Sequence, residues 1–286
     1  MSAVPRTSPA PTGRPSRTGA AGAVLHATRA ELSKILTLPG VWIVTGIILA
    51  LDVLVMSASA GLYAEAVANI TPDGIIEIFI GEPQPATGAV LDMLVAASLQ
   101  IGVFLPIPAA VIAGQEFRSH QLGLTVLAVP RRGRLLAAKV LATTAYLLAV
   151  AVLIAGISTA FTYAAVKDWN PGLLLTGDAF LGQGRFVVFA VLFSLTGFAV
   201  TVIARSTLIG IVVTVVLLAL TMMRSPDRTG PGLDAFLPAG AGRNLLLDAG
   251  ANHLSAGPVH GLLVLVGWAL VTTLIAGITL GRRDAR

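Results

Sequence analysis

Cysteine is absent from this 286-residue chain, which rules out disulfides, thiolate metal sites and cysteine nucleophiles. Histidine is scarce. The four present (His26, His120, His253 and His260) are too few and too scattered for a histidine metal cluster. Lysine is nearly missing as well: Lys34, Lys139 and Lys167 are all there is. None follows the glycines of a Gly-x-x-x-x-Gly-Lys-[Ser/Thr] loop, so the chain cannot itself cradle nucleotide phosphates. Charge of either sign is short, at 12% of residues against roughly 25% in an average globular protein. A surface so poor in charge cannot be a soluble one.

What the chain has instead is apolar residues, 55% of the total, with a mean hydropathy of +0.86. They are gathered into runs. A bilayer core of about 30 Å takes roughly 20 apolar residues as a helix. Six stretches qualify: Val41–Leu62, Met93–Gly114, Leu141–Val166, Phe186–Ala204, Thr207–Met223 and Val259–Leu280. The expected fold is an all-α polytopic membrane protein of six transmembrane helices. The third stretch is longer than a crossing needs, which implies tilt or projection. The fourth and fifth are parted by little more than Arg205 and Ser206, read here as a tight hairpin rather than one broken element.

Orientation follows the basic residues. On the six-span reading, fourteen Lys and Arg fall in the tail before Pro39, the loop between spans two and three, the Arg205 turn and the C-terminal tail. The opposite loops hold five, and the first of them has none but carries Glu65, Asp73, Glu77 and Glu82. Both termini are therefore expected in the cytoplasm. The net charge of +5 and pI near 10.2 are topological, and no basic and aromatic cluster suggests nucleic acid.

The first residues (1–22) are rich in Pro, Ser, Thr, Gly and Arg and read as a disordered cytoplasmic tail. No apolar stretch with a small-residue cleavage site follows them, so no processing is expected; residues 23–286 make up the membrane domain. Between Ala23 and Leu38, Leu25, Leu32, Ile35 and Leu36 recur at helical spacing, with Arg29 at the border, before Pro39 and Gly40 break the pattern. This reads as an amphipathic helix lying along the cytoplasmic leaflet. The apolar segment Leu233–Leu247 suits a re-entrant external hairpin turning at Pro238, Gly240 and Gly242, or a plain surface loop.

Catalytic patterns are missing. Intramembrane aspartyl cleavage needs two facing carboxylates, but Asp52 lies within a span, Asp92 at a span edge, and Gly177-Asp178 has Leu175 where a first glycine belongs. There is no His-Glu-x-x-His and no His deep in a span to serve as a base. The chain reads as a non-enzyme. Asp52 is about 16–18 Å into its span at ~1.5 Å per residue. A charge there costs about 2.5–3.5 kcal/mol, so Asp52 needs a partner, a wet cavity or a proton. An interhelical hydrogen bond and a place on a transport path both satisfy that.

The loop over 115–140 is the most informative segment. It opens on Glu116-Phe117-Arg118, runs through an apolar middle that includes Leu122 and Leu127, and closes on Pro130-Arg131-Arg132 before Lys139. A topological loop needs only the basic group, so the apolar middle should pack on the leaflet or on a partner whose cleft takes aromatic and Arg anchors. Pro106 and Pro108 should kink the second span just above it.

Glu-Phe-Arg, then Leu127-x-x-Pro130-Arg131-Arg132, then Lys139 at the head of a long span resembles the permease subunit of type-2 ABC exporters. Glu31-Leu32-Ser33-Lys34, Leu237-Pro238-Ala239 and Arg282-Arg283-Asp284-Ala285 are similar too, and the resemblance covers nearly the whole chain from Ala23. It implies a half-transporter in the plasma membrane of a bacterium, coupled to a separate ATPase subunit and paired with a second permease. It assigns Glu116, Phe117, Arg118, Leu122, Leu127, Pro130, Arg131 and Arg132 to the ATPase contact, leaves ATP and Mg to that partner, and makes the external segment an outer gate. Asp52, Pro106 and Pro108 are candidates for the translocation path or gate. The alternatives are an ATP-independent, proton-coupled carrier relying on Asp52, and a non-transporting scaffold. The spans' few polar groups lean toward a lipid-like or amphipathic cargo.

Overall fold

The computed structural model describes residues 20–76, 83–118, 132–222, 234–247 and 256–282. In chain order, helix α1 (Ala20–Thr37) and helix α2 (Pro39–Ala68) are followed by a two-residue antiparallel ladder of β1 (Ile75–Ile76) and β2 (Gln84–Pro85). Then come α3 (Ala86–Gly102), α4 (Pro106–Arg118) and α5 (Arg132–Val166). A 3-10 turn (Pro171–Leu175) leads to α6 (Gly177–Ala204) and α7 (Thr207–Met222). A second 3-10 turn (Asp234–Phe236), α8 (Pro238–Leu246) and α9 (Pro258–Arg282) complete the described chain.

The breaks have local causes. Leu38 is extended because it precedes Pro39, which takes the first turn of α2, where a missing N–H costs nothing. The Trp42 indole closes that corner by donating to the Leu36 carbonyl at 2.7 Å. The second apolar stretch is interrupted over Val103–Leu105, and α4 restarts on Pro106, so the kink expected from the prolines is a full break in the helix. Between α6 and α7 the chain reverses at Arg205, the one non-glycine residue among those described with a left-handed backbone (φ 52°). Ser206 Oγ then accepts from the Ile209 amide at 3.4 Å. Gly210 lies against Thr201 and Gly197 against Thr214, pairs symmetric about the turn; the two helices form an antiparallel hairpin.

Five helical segments are long and apolar enough to cross a membrane: Pro39–Ala68, Ala86–Gln115, Gly133–Val166, Gly177–Ala204 and Pro258–Leu280. The second combines α3 and α4 and begins before Met93; the third begins well before Leu141. At 16 residues α7 spans about 24 Å at ~1.5 Å per residue, less than the ~30 Å hydrocarbon core. The described chain is thus an all-α, multi-pass membrane protein with five helices long and apolar enough to cross and one shorter apolar helix.

α6 is the central element, touching α3, α4, α5, α7, α8 and α9. Its Phe186, Phe189 and Phe193 are fully buried, and the last two stack with centroids 5.6 Å apart. Outward faces carry large apolar residues, such as Ile43, Ile47 and Leu54 on α2 and Leu263, Leu270 and Leu274 on α9. Such an exterior is a liability in water and the proper surface toward hydrocarbon. With lipid as apolar as the side chains, helices associate through close packing at small residues. The Phe186 ring sits over Gly102 of α3, Phe189 over Gly242 of α8, and Pro106 of α4 against Gly197 of α6. Ala151 and Ala155 of α5 are buried, whereas Gly156 and Ala160 face outward.

Gly114 of α4 lies so close to Thr207 of α7 that an added Cβ would meet its side chain and backbone, while Gly46 of α2 has open space around it. Gly114→Ala should therefore lower stability by about 1–3 kcal/mol, whereas Gly46→Ala should be neutral or gain up to ~1 kcal/mol from helix propensity. Thermal unfolding of the two variants in detergent reads the difference.

Candidate functional site

One end of the bundle gathers α1, the last turn of α4, the first turns of α5, the α6–α7 turn and the end of α9. Here Lys139 Nζ of α5 pairs with Glu31 Oε2 of α1 at 2.9 Å, both side chains nearly buried (9% and 13% exposed). Around the pair, Ile35, Leu38, Ile112, Phe117, Phe198, Val202 and Leu280 enclose a gap of about 30 Å³, room for little more than a water. The arrangement is a joint between five helices rather than a ligand site. Phe117 enters it directly from the end of α4.

The joint assembles several residues singled out in the sequence: Glu31, Lys34, Phe117 and Lys139. Glu116 and Arg118 belong to the end of α4 and Arg132 to the start of α5, so the loop expected over 115–140 is helical at both its ends. Leu122, Leu127, Pro130 and Arg131 lie outside the described residues, as do residues 1–19. In α1 the expected apolar face is split. Ile35 is buried, with Val24, Thr28, Glu31 and Leu38 on the same inward stripe, while Leu25 and Leu36 are exposed on the other side with Arg29. The reason is that α1 packs along α5, and the Glu31–Lys139 pair draws a polar residue into the inward stripe.

Asp52 lies at mid-length on α2 and faces the interior with no exposure. Neither carboxyl oxygen has a hydrogen-bond partner among the described residues. Nearby, Thr45 Oγ1 and the Tyr146 hydroxyl are 2.7 Å apart and tie α2 to α5. Of the three outcomes the sequence allowed for Asp52, an interhelical hydrogen bond is not the one found. Pro106 and Pro108 are both buried where α4 restarts, with Pro106 against α6.

The segment Leu233–Leu247 differs from the expected hairpin. Gly240 and Gly242 are not in a turn but inside α8, where they allow close approach to Asp234 and to Phe189. Their role is packing. A 3-10 turn at Asp234–Phe236 precedes them. The Phe236 carbonyl accepts from the Trp268 indole at 2.9 Å, while Gly261 lies against Ala241, Asn244 and Leu245. The start of α8 is thus level with the third turn of α9, and its end is level with the first. The segment climbs back alongside α9.

On its other side α8 borders a cavity of about 550 Å³. Leu51 and Val55 of α2, Ala96, Leu99, Gln100 and Ile101 of α3, Val103 and Phe104 of the helix break, Leu218 and Thr221 of α7, and Ala239 and Arg243 of α8 line it. Arg243 Nη2 donates to Asp234 Oδ2 at 2.7 Å. In the sequence, Arg243 is one of the five basic residues of the opposite loops. Nothing in local spacing pairs it with Asp234; the 3-10 turn does.

The Glu31–Lys139 pair is enclosed well enough that removing one partner should be costly. Lys139→Met alone is expected to lose roughly 3–5 kcal/mol, and adding Glu31→Leu should recover most of that loss. Unfolding titrations in SDS micelles provide the measurement; equal stability of the single and double variants would contradict the pairing. Compared with models of known protein families and with curated proteins, the chain matches none.

Proposed function

We propose that the chain is the membrane-spanning permease subunit of an ATP-driven exporter, moved by a separate ATPase subunit that binds at the α1 end of the bundle. The observation that carries this reading is the joint. The segment that opens on Glu116-Phe117-Arg118 is mechanically continuous, through Phe117, with a five-helix junction held by Glu31 and Lys139. A force applied beyond Arg118 would be passed on as rigid-body helix motion, a recognised route of switching. Arg29, Lys34, Arg134, Lys139 and Arg205 lie toward this end, against Lys167, Arg185 and Arg243 elsewhere; the positive-inside rule makes it cytoplasmic. On this reading α7 is the sixth span, α1 lays its exposed Leu25 and Leu36 in the inner leaflet, and α8 is the re-entrant gate. A second permease completes the path, and ATP and Mg belong to the partner ATPase.

A second reading has its own observation. Asp52, buried at mid-span with both oxygens unpartnered, fits a proton-coupled carrier in which that carboxyl takes up and releases the proton.

Purification in mild detergent should bring down a stoichiometric soluble ATPase. The double variant Glu116→Ala/Arg118→Ala should cut cargo-stimulated ATP hydrolysis at least tenfold while membrane insertion stays intact; normal coupling would rule against the assignment. In proteoliposomes under an imposed pH gradient, the exporter reading expects no proton flux through the purified chain. Flux that Asp52→Asn abolishes would establish the carrier instead.

A further inference from the structure

The cavity beside α8 joins two chemistries that the exporter reading does not specify. Its walls are almost wholly apolar, built from Leu51, Val55, Leu99, Ile101, Phe104 and Leu218, and its volume of about 550 Å³ falls within the roughly 300–1,000 Å³ of small-molecule pockets. Leu51 and Val55 are near the middle of α2, so the cavity lies at bundle mid-depth rather than at a rim. Arg243 of α8 is among its lining residues.

The Arg243 guanidinium is incompletely used. One nitrogen, Nη2, donates to Asp234, while Nε is buried and has no partner among the described residues. The Asp234 carboxylate is turned away, packed against Gly240 in the first turn of α8, and it is not part of the cavity wall. Of the two members of the ion pair, Arg243 lines the cavity and Asp234 does not. Gln100 of α3 adds a second polar side chain on the same lining. A charged side chain at membrane depth is a functional feature by default, and Arg binds carboxylates and phosphates through paired donors.

We infer that this cavity binds an anionic amphiphile, with its hydrocarbon tail between α2, α3 and α7 and its carboxylate or phosphate head at Arg243. That the amphiphile is cargo rests on the exporter reading. The binding itself does not: it is a property of this chain.

The test uses the full chain in phosphatidylcholine nanodiscs, with an alkyl phosphate carrying a photoreactive diazirine in its tail and a trimethylammonium probe of the same length. Photolysis should label peptides containing Leu99–Phe104 and Leu218 at least tenfold more with the phosphate probe. Arg243→Gln should reduce that labelling to the ammonium level. Ala96→Phe, which fills the cavity without touching the ion pair, should abolish it and guards against misfolding of the Arg243 variant. Excess inorganic phosphate should not displace the probe. Equal labelling by both probes, unchanged labelling in either variant, or displacement by phosphate alone would each overturn the inference. Labelling that succeeds in a chain that never stimulates an ATPase would leave the site standing as one for a resident bilayer lipid and count against the exporter instead.

Discussion

Close approach to a single central helix is the constraint on which this structure depends. α6 packs against six other helices, and in a bilayer no aqueous driving force presses its neighbours onto it. Contact must come from shape. Its phenylalanines supply the bulk, and Gly102 and Gly242 on the neighbouring helices supply the notches. Its own Gly197 takes the start of α4, and Thr201 takes Gly210. Where a side chain replaced one of these hydrogens, backbone rather than a flexible chain end would have to move at several points, so the packing tolerates little change.

The two ion pairs that the structure shows inside this apolar frame are informative. Each joins one element to another. Glu31 and Lys139 bind the leading helix α1 to the base of α5. Asp234 and Arg243 bind a 3-10 turn to the short helix that follows it. The helix break at Val103–Leu105 opens wall space for the cavity that Arg243 borders. Buried charge is rarely net stabilising, so its use at these two junctions asks for a reason beyond stability. Asp52 is the exception: it is buried with no hydrogen-bond partner among the described residues.

Much of the candidate site was legible in the residues. The aromatic and charged opening of the 115–140 segment, the prolines above it and the lysine at the head of α5 stood out from their apolar surroundings, because a polar or helix-breaking residue in such a run needs a reason. Pairing was not legible. Lys139 is over a hundred positions from its partner Glu31, and Arg243 meets Asp234 only because a 3-10 turn folds one onto the other. The glycines of α8 were misleading, since Gly permits a turn and equally permits close helix packing. The face of α1 was misjudged for a related reason: hydrophobic period marks a stripe but not whether lipid or protein covers it.

Composition and run length alone determined that this is a multi-pass helical membrane protein, because a bilayer admits few other ways to satisfy the backbone. Local chemistry also accounts for the breaks at Pro39 and Pro106, where φ restrictions act within one or two residues. Tertiary structure decided which helix is central, which charges meet, that Asp52 faces inward, and that a guanidinium borders an apolar cavity. Those outcomes depend on distances between residues far apart in the chain, and in lipid such distances are set by side-chain shape, which no pattern of hydrophobicity encodes.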